Sequence, residues 1–325
     1  MGNKIRMFFA IVFMAAAVSC TADRDKYIKI DGYAQGGVYV VTLNLNGVDV
    51  RPAEIRDSVE SILHRIDFTL SGYNKNSLIS AFNQGDTIVP NGLFADMYAR
   101  AYCVYNETQG IVDAASAPLF DMWGFGFKSG EMPSDEDVQT VLEHSGMRHL
   151  RADIEAGTPL AGKDLLLEGE VPPQLNYNAI AQGYSCDLVA GYLYSIGVKD
   201  MMVNIGEIFC DGLNPSGQPW TVGIDRPVDG NNEPGAQVQG IFKAPSGPHG
   251  IVTSGNYRKF YVRDGKKYAH TIDPRTGYPV SHGLLSATIL ADDAITADAY
   301  ATYCMVVGLE EPKALLARRP DLEGC

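Results

Sequence analysis

Asp298 and Thr302 stand four residues apart in "ADAYAT", a spacing that puts both side chains on one face of a helix. A carboxylate and a hydroxyl so placed can share a hard cation. Carbonyl, water and phosphate oxygens would fill its remaining sites, a donor set that suits Mg2+ rather than zinc. The same two residues would also serve as a helix-start cap and a threonine bonded back into its own helix. A second stretch, "HTIDPRTGYPV" (270–280), sets His270 and Asp273 beside a turn shaped by Pro274 and Gly277. Histidine titrates near neutral pH and can move a proton, while the aspartate could do so instead or orient the histidine.

Three further stretches put small or polar residues where a core would want bulk. In "VTSGNYRKFYV" (252–262) a Thr-Ser-Gly-Asn run heads a strand, where free amides could cradle a phosphate or simply make a β-turn. "NYNAIAQGYSCD" (176–187) opens a helix with asparagine and small residues, so backbone could approach a ligand at a helix N-terminus. Packing alone produces such starts as well. "VDAASAPLFDMWGFG" (112–126) holds Trp123 between turn signals, which by itself reads as a core aromatic with a glycine-rich exit.

The elements that must position these residues follow from periodicity. Residues 35–46 alternate as a strand, with Val38, Val40 and Thr42 on one side. From Pro52, a helix start, Ile55, Val59, Ile62, Leu63 and Ile66 recur at helical spacing. Leu93, Met97, Ala101 and Val104 repeat the pattern in a next helix. A third helix begins near Ala179, carries Val189, Leu193 and Ile196, and stops at Gly197 before the short strand "KDMMVNIG". Strand-like runs at 219–224, 238–243, 249–253, 258–263 and 284–291 precede a long helix over 296–318. This irregular mixture predicts an α+β (mixed α/β) class, one body of mixed sheets packed by helices.

The N-terminus reads differently. Lys4 and Arg6 precede an apolar run from Met7 to Val18 and then Ser19-Cys20, a secretory signal resembling a bacterial lipobox, with Ala17 where that pattern prefers Leu. The expectation is a signal over 1–19, lipidation at Cys20, a linker over 20–27 and a single domain over 28–325. The localisation expected is an exported bacterial lipoprotein on the periplasmic face of a membrane. Removing 1–19 takes the formal net charge from −13 to −15. So acidic a body is a poor nucleic-acid binder, and any phosphate it holds needs backbone amides and a divalent cation. Five cysteines besides Cys20, with no C-x-x-C pair, argue against a disulfide framework or zinc site; Cys103, Cys186 and Cys304 read as buried small hydrophobes. The six histidines are scattered, and His144 and His149 would face different sides of a helix.

In order and spacing the chain resembles the ApbE family of FAD:protein FMN transferases. The resemblance rests on "GYAQG", "IDFTLSGYNKNSLISAFN", "DAASAPLFDMWGFG", "AIAQGYSCD", "VNIGEI", "VTSGNYRKFY", "HTIDPRTGYPVSH" and "ADAYAT", from about Gly32 to the final helix. It implies an exported, Mg2+-dependent enzyme with an FAD cleft between sub-regions. Such an enzyme splits the FAD pyrophosphate, moves FMN onto a threonine of an exported flavoprotein and releases AMP. The implied metal ligands are Asp298, Thr302 and the backbone carbonyl of Ala181. The implied flavin and phosphate contacts are Tyr73, Thr253, Ser254, Gly255, His270, Asp273 and Thr276, with Gly206 and Glu207 in the turn beside the ligand. His270, Asp273 and Asp298 are the catalytic candidates. An FAD pyrophosphatase using the same Mg2+ site, or a non-catalytic FAD-binding lipoprotein, would share most of these features.

Four departures stand out. Gln182 replaces the family's usual lysine, Asn176 an aspartate, and "NIGE" is one glycine shorter than "NIGGE". The chain stops at "PDLEGC", where the family continues into a closing strand; a truncated C-terminus and an unpaired sheet edge are expected there.

Overall fold

Two N-terminal strands, β1 (Tyr27–Ala34) and β2 (Gly37–Asn44), pair antiparallel across a tight turn in which Gln35 and Gly36 have φ of +51° and +82°. In β2 the buried set is Tyr39, Val41 and Leu43, whereas Val38 is 68% exposed. The strand and its alternation are as expected, and the face turned inward is that of Tyr39, Val41 and Leu43. The other face mixes Val38 and Val40 with Thr42 and Asn44, so Tyr39, Val41 and Leu43 make theirs the more apolar. The computed structural model describes residues 26–126, 132–228, 230–231, 235–257, 260–263 and 266–325. The signal over 1–19 and Cys20 lie outside the described residues.

Helix α1 (Pro52–Leu70) has proline in its first turn and buries Ile55, Val59, Ile62, Leu63 and Ile66 along one stripe. Each such side chain contributes roughly 1.5–3 kcal/mol of burial. Helices α2 (Leu78–Asn83), α3 (Gly92–Glu107), α4 (Ala117–Met122) and α5 (Asp135–His144) follow. Ser77, Asn91 and Ser134 cap α2, α3 and α5 by accepting the Ser80, Phe94 and Asp137 amides. Cys103, expected to be buried, is exposed on α3, because that helix turns Phe94, Met97, Tyr98 and Ala101 inward. His144 ends α5, and His149 sits beyond Gly146 (φ +107°) in a 3-10 turn, so the two histidines share no helix.

The second half builds the main sheet around α6 (Ala181–Ser195). The strands are β3 (Met201–Ile205), β4 (Glu207–Asp211), β5 (Thr221–Asp225), β6 (Val238–Lys243), β7 (His249–Gly255), β8 (Phe260–Arg263), β9 (Lys266–Ala269), β10 (Ile272–Asp273), β11 (Tyr278–Pro279) and β12 (Ser286–Ala291). After them come α7 (Ala294–Val307), α8 (Glu310–Leu316) and β13 (Glu323–Gly324). Seven strands join in the order β1-β2-β3-β4-β7-β12-β13, and β5–β6, β8–β9 and β10–β11 are separate hairpins. The α+β class is the observed one, but every recorded pairing is antiparallel rather than mixed.

The sheet's two faces are covered by different partners. Val41, Leu43, Met201 and Val203 share a core with α1, α3 and α6. Val252 and Ile289 pack on α7, while Cys210, Ile251 and Leu290 pack under Trp220 and Val222. The expected helix over 296–318 is two helices, because Gly308 (φ +84°) ends α7. The outer edge of β12 is met by β13 through Ile289↔Gly324 and Leu290↔Glu323. Among the described residues no helix is long and apolar enough to cross a membrane.

Candidate active site

The first turn of α6 is where the predicted residues converge. Asn176 donates its amide to the Ala114 carbonyl (2.7 Å) and accepts the Asn178 amide (2.9 Å), an Asx turn that aims the chain into the helix. Asn178 Nδ2 donates to the hydroxyl of Tyr73 (3.2 Å), whose ring is 65% exposed. A cavity of about 20 Å3 between Val112, Asp113, Ala114, Asn176 and Ala179 brings the "VDAASAP" stretch against this turn.

Asp298 lies on α7 with 5% exposure, and its Oδ2 accepts the Gly183 amide at 3.1 Å. Burial drives its carboxyl well above the usual carboxylate range, and the nearby Glu207 and Asp187 carboxylates add to the effect. A buried carboxylate among other anions is a place where a cation would be stabilised. Thr302, one turn on, is partly buried. Among the described residues no group of three or more His, Cys, Asp or Glu could hold a metal by itself. A cation here would therefore need hydroxyl and carbonyl oxygens as well.

The carbonyl expected for that role, Ala181, accepts the Ser185 hydroxyl at 2.6 Å, and Ser185 in turn accepts Gln35 Nε2. Ala179 has the freer carbonyl. Its helical partner would be the Gly183 amide, which goes to Asp298 instead, and among the described residues no backbone amide takes its place. Asp298, Thr302 and the Ala179 carbonyl are oxygens that could together hold a hard cation.

Gly206 (φ +91°) makes the turn between β3 and β4 and presses on Gln182, whose Nε2 donates to the Ile205 carbonyl (3.2 Å). Glu207 follows, its carbonyl accepting Cys186 Sγ at 3.1 Å. Gln182 thus fills by a neutral hydrogen bond the place of the family's lysine.

Thr253, Ser254 and Gly255 close β7 rather than head a strand, paired with Thr288, Ala287 and Ser286. Beyond Ile251, β4 has ended, so the other edge of these residues has no strand beside it among the described residues. Thr253 and Thr288 share a hydroxyl hydrogen bond (2.8 Å). Gly255 is required because a Cβ there would stand 2.7 Å from the Tyr257 ring.

The "HTIDPRTG" corner packs on the aromatic exit of α4. Trp123 Nε1 donates to the Gly277 carbonyl (2.8 Å), and Phe125 lies edge-on to the partly buried His270 at 6.5 Å. Asp273, expected to face the reacting phosphate or orient the histidine, is occupied within its own turn. It takes Arg275 Nη2 (2.8 Å) and Nε (3.0 Å) and the Arg275 amide (2.9 Å). Thr276 Oγ1 donates to the Asp273 carbonyl at 3.4 Å, so it too shapes the turn. The residue missed from sequence is Asp187, whose carboxylate accepts the Ala294 and Ile295 amides at the start of α7 (2.8 and 2.9 Å).

Comparison with known proteins identifies the family and the fold. The chain matches the ApbE family over residues 35–325. It is 32% identical over 284 residues to the FAD:protein FMN transferase of Escherichia coli (strain K12), covering 85% of this chain and 77% of that protein. Among solved structures, the flavin transferase ApbE from Vibrio cholerae superposes with a TM-score of 0.75 at 30% identity over 92% of both chains. The Pseudomonas stutzeri flavinyl transferase ApbE in its apo form gives 0.77 at 30% identity over 92% of this chain and 90% of that one. On the extent of these matches, the chain belongs to the ApbE family.

Proposed function

We propose that this protein is an FAD:protein FMN transferase that uses Mg2+ and attaches FMN to a threonine of an exported flavoprotein. The observation that carries the reading is the diverted Gly183 amide. It seats Asp298 on the start of α6 and leaves the Ala179 carbonyl without a helical donor. Asp298, Thr302 and that carbonyl would hold Mg2+, which supplies charge neutralisation on the pyrophosphate and on the departing phosphate oxygen. The exposed Tyr73 ring and the open edge of Thr253–Gly255 would contact FAD.

In the transfer, the acceptor threonine oxygen bonds to the FMN-side phosphorus. The bond from that phosphorus to the bridging oxygen breaks, and its electron pair leaves with AMP. The threonine proton passes to His270, which is partly buried with Phe125 edge-on to its ring. Asp273 supports this step from a distance by holding the turn. The basic, then apolar, N-terminal run supports export and tethering through lipid on Cys20.

The test is incubation with FAD, Mg2+ and an acceptor bearing the target threonine, following AMP and acceptor mass together. A covalent FMN adduct that appears with AMP supports transfer. AMP without an adduct means hydrolysis of FAD, and bound FAD with neither product means binding alone; either result overturns the proposal.

A further inference from the structure

Helices α6 and α7 meet at their N-termini and exchange carboxylates there. Asp187, four residues after Gly183, takes the Ala294 and Ile295 amides of α7. Asp298, four residues after Ala294, takes the Gly183 amide of α6. The two backbones touch between these bonds: a Cβ on Gly183 would lie 2.3 Å from the Ala294 carbonyl oxygen and 2.9 Å from Ile295 Cα. Strand β7 closes a third side, since a Cβ on Gly250 would stand 2.3 Å from Ala294 Cα. Two helix N-termini brought together concentrate partial positive charge, and each is offset by the other helix's carboxylate.

Asp187 does more than a local cap requires. The helix's own cap, Asp293, already accepts the Thr296 amide at 2.9 Å. The amides before it, Ala294 and Ile295, would otherwise be two of the orphan donors of the first turn. Satisfying them from α6 ties the axial and rotational setting of α7 to the turn that presents Ala179. Asp187 spends its carboxylate on the start of α7 and not on Asp298, so it acts through the helix.

We propose that Asp187 is a positioning residue for the cation site, setting the register of α7 against α6 and thereby the place of Asp298 beside the Ala179 carbonyl. This rests on the reading of Asp298 as a cation ligand. Residues that orient ligands without touching the metal typically change its affinity by about 10–100-fold.

The experiment is a Mn2+ titration of the full chain followed by EPR, for the wild type, Asp187→Asn, Asp298→Asn and Asp200→Asn. Asp200 is the control: its carboxylate also accepts a backbone amide (Leu213, 2.9 Å) and a side-chain amide (Asn44, 3.0 Å), but at the far end of β3. Asp187→Asn should weaken Mn2+ binding about 10-fold or more. Asp200→Asn should leave it within about twofold, whatever its melting temperature, because that site lies outside the clamp. High Mg2+ should restore single-turnover transfer in Asp187→Asn, which lost folding would not allow. Where that variant fails to accumulate, Asp187→Glu keeps both acceptors at a longer reach and should weaken Mn2+ in the same direction.

Asp187→Asn binding Mn2+ like the wild type, or losing no more than Asp200→Asn, overturns the positioning role while leaving the cation site standing. Wild type without Mn2+ binding, or Asp298→Asn binding it unchanged, overturns the cation reading itself and the inference with it.

Discussion

The Gly183 amide donates to Asp298 Oδ2 at 3.1 Å instead of to the carbonyl of Ala179, four residues earlier. One backbone hydrogen bond is thereby traded for a link between two helices, and the trade needs a residue without a Cβ at 183. Gly183→Ala would place its methyl 2.3 Å from the Ala294 oxygen, backbone against backbone. The expected loss is about 1–3 kcal/mol in urea unfolding, together with slower FMN transfer. Gly191, in the same helix with nothing within 4 Å of its absent Cβ, should instead gain roughly 0.5–1 kcal/mol as alanine.

His270 and Asp273 should separate cleanly. His270→Ala is expected to lower single-turnover transfer by about 10²–10⁴-fold, the usual weight of a proton-transfer group. Asp273→Asn keeps one oxygen for the Arg275 amide and loses part of the Arg275 fork. Its expected loss is less than tenfold, with a lower melting temperature. A larger loss from Asp273→Asn than from His270→Ala would reverse the two roles.

Gly206 has φ +91° and its absent Cβ would fall 2.3 Å from Gln182 Nε2. The conformational strain of Gly206→Ala should cost about 1–2 kcal/mol. Gln182→Ser removes the contact but not the strain, so the double variant should recover only a minor part of the loss by denaturant unfolding. Full recovery would show that crowding, and not backbone conformation, demands glycine there.

Burial pushes the Asp113 carboxyl from its ordinary 3.8 up to about 6, although the Ala115 and Met147 amides pull it back. The folded state then holds its proton more tightly than the unfolded chain does. The linkage runs opposite to that of a salt-bridged aspartate: Asp113 favours the folded state at low pH, and that contribution is lost as pH rises from about 4 to about 6. Asp113→Asn keeps the Oδ1 acceptor and removes the ionisation. Its urea midpoint should lack that falling component over this range, which a wild-type and variant pH series would resolve.

Much of this was legible in the residues, and the reasons for the exceptions are physical. The stripe of α1 could be read because only one of its faces is apolar, whereas β2 carries valines on both faces and its parity was open. Asp298 and Thr302 announced themselves by spacing. A carbonyl partner did not, because "NAIA" offers several, and only the hydrogen bonding distinguishes Ala181, which accepts Ser185, from Ala179, which loses its helical donor. Gly308 looked like one more small residue in a long helix until its positive φ divided α7 from α8. Asp187 gave no signal because an aspartate in the second turn of a helix usually faces water. Its partners lie 107 and 108 residues away.

The central claim is transfer, and the most direct measurement is stoichiometry. The chain would be incubated with FAD, Mg2+ and an acceptor carrying its target threonine, and in parallel with the same acceptor carrying alanine there. Intact mass would count FMN bound and chromatography would count AMP released. The account predicts one AMP for each flavinylated threonine, and neither product above background with the alanine acceptor or with Asp298→Ala. AMP released equally from both acceptors, with no mass added to either, would contradict it.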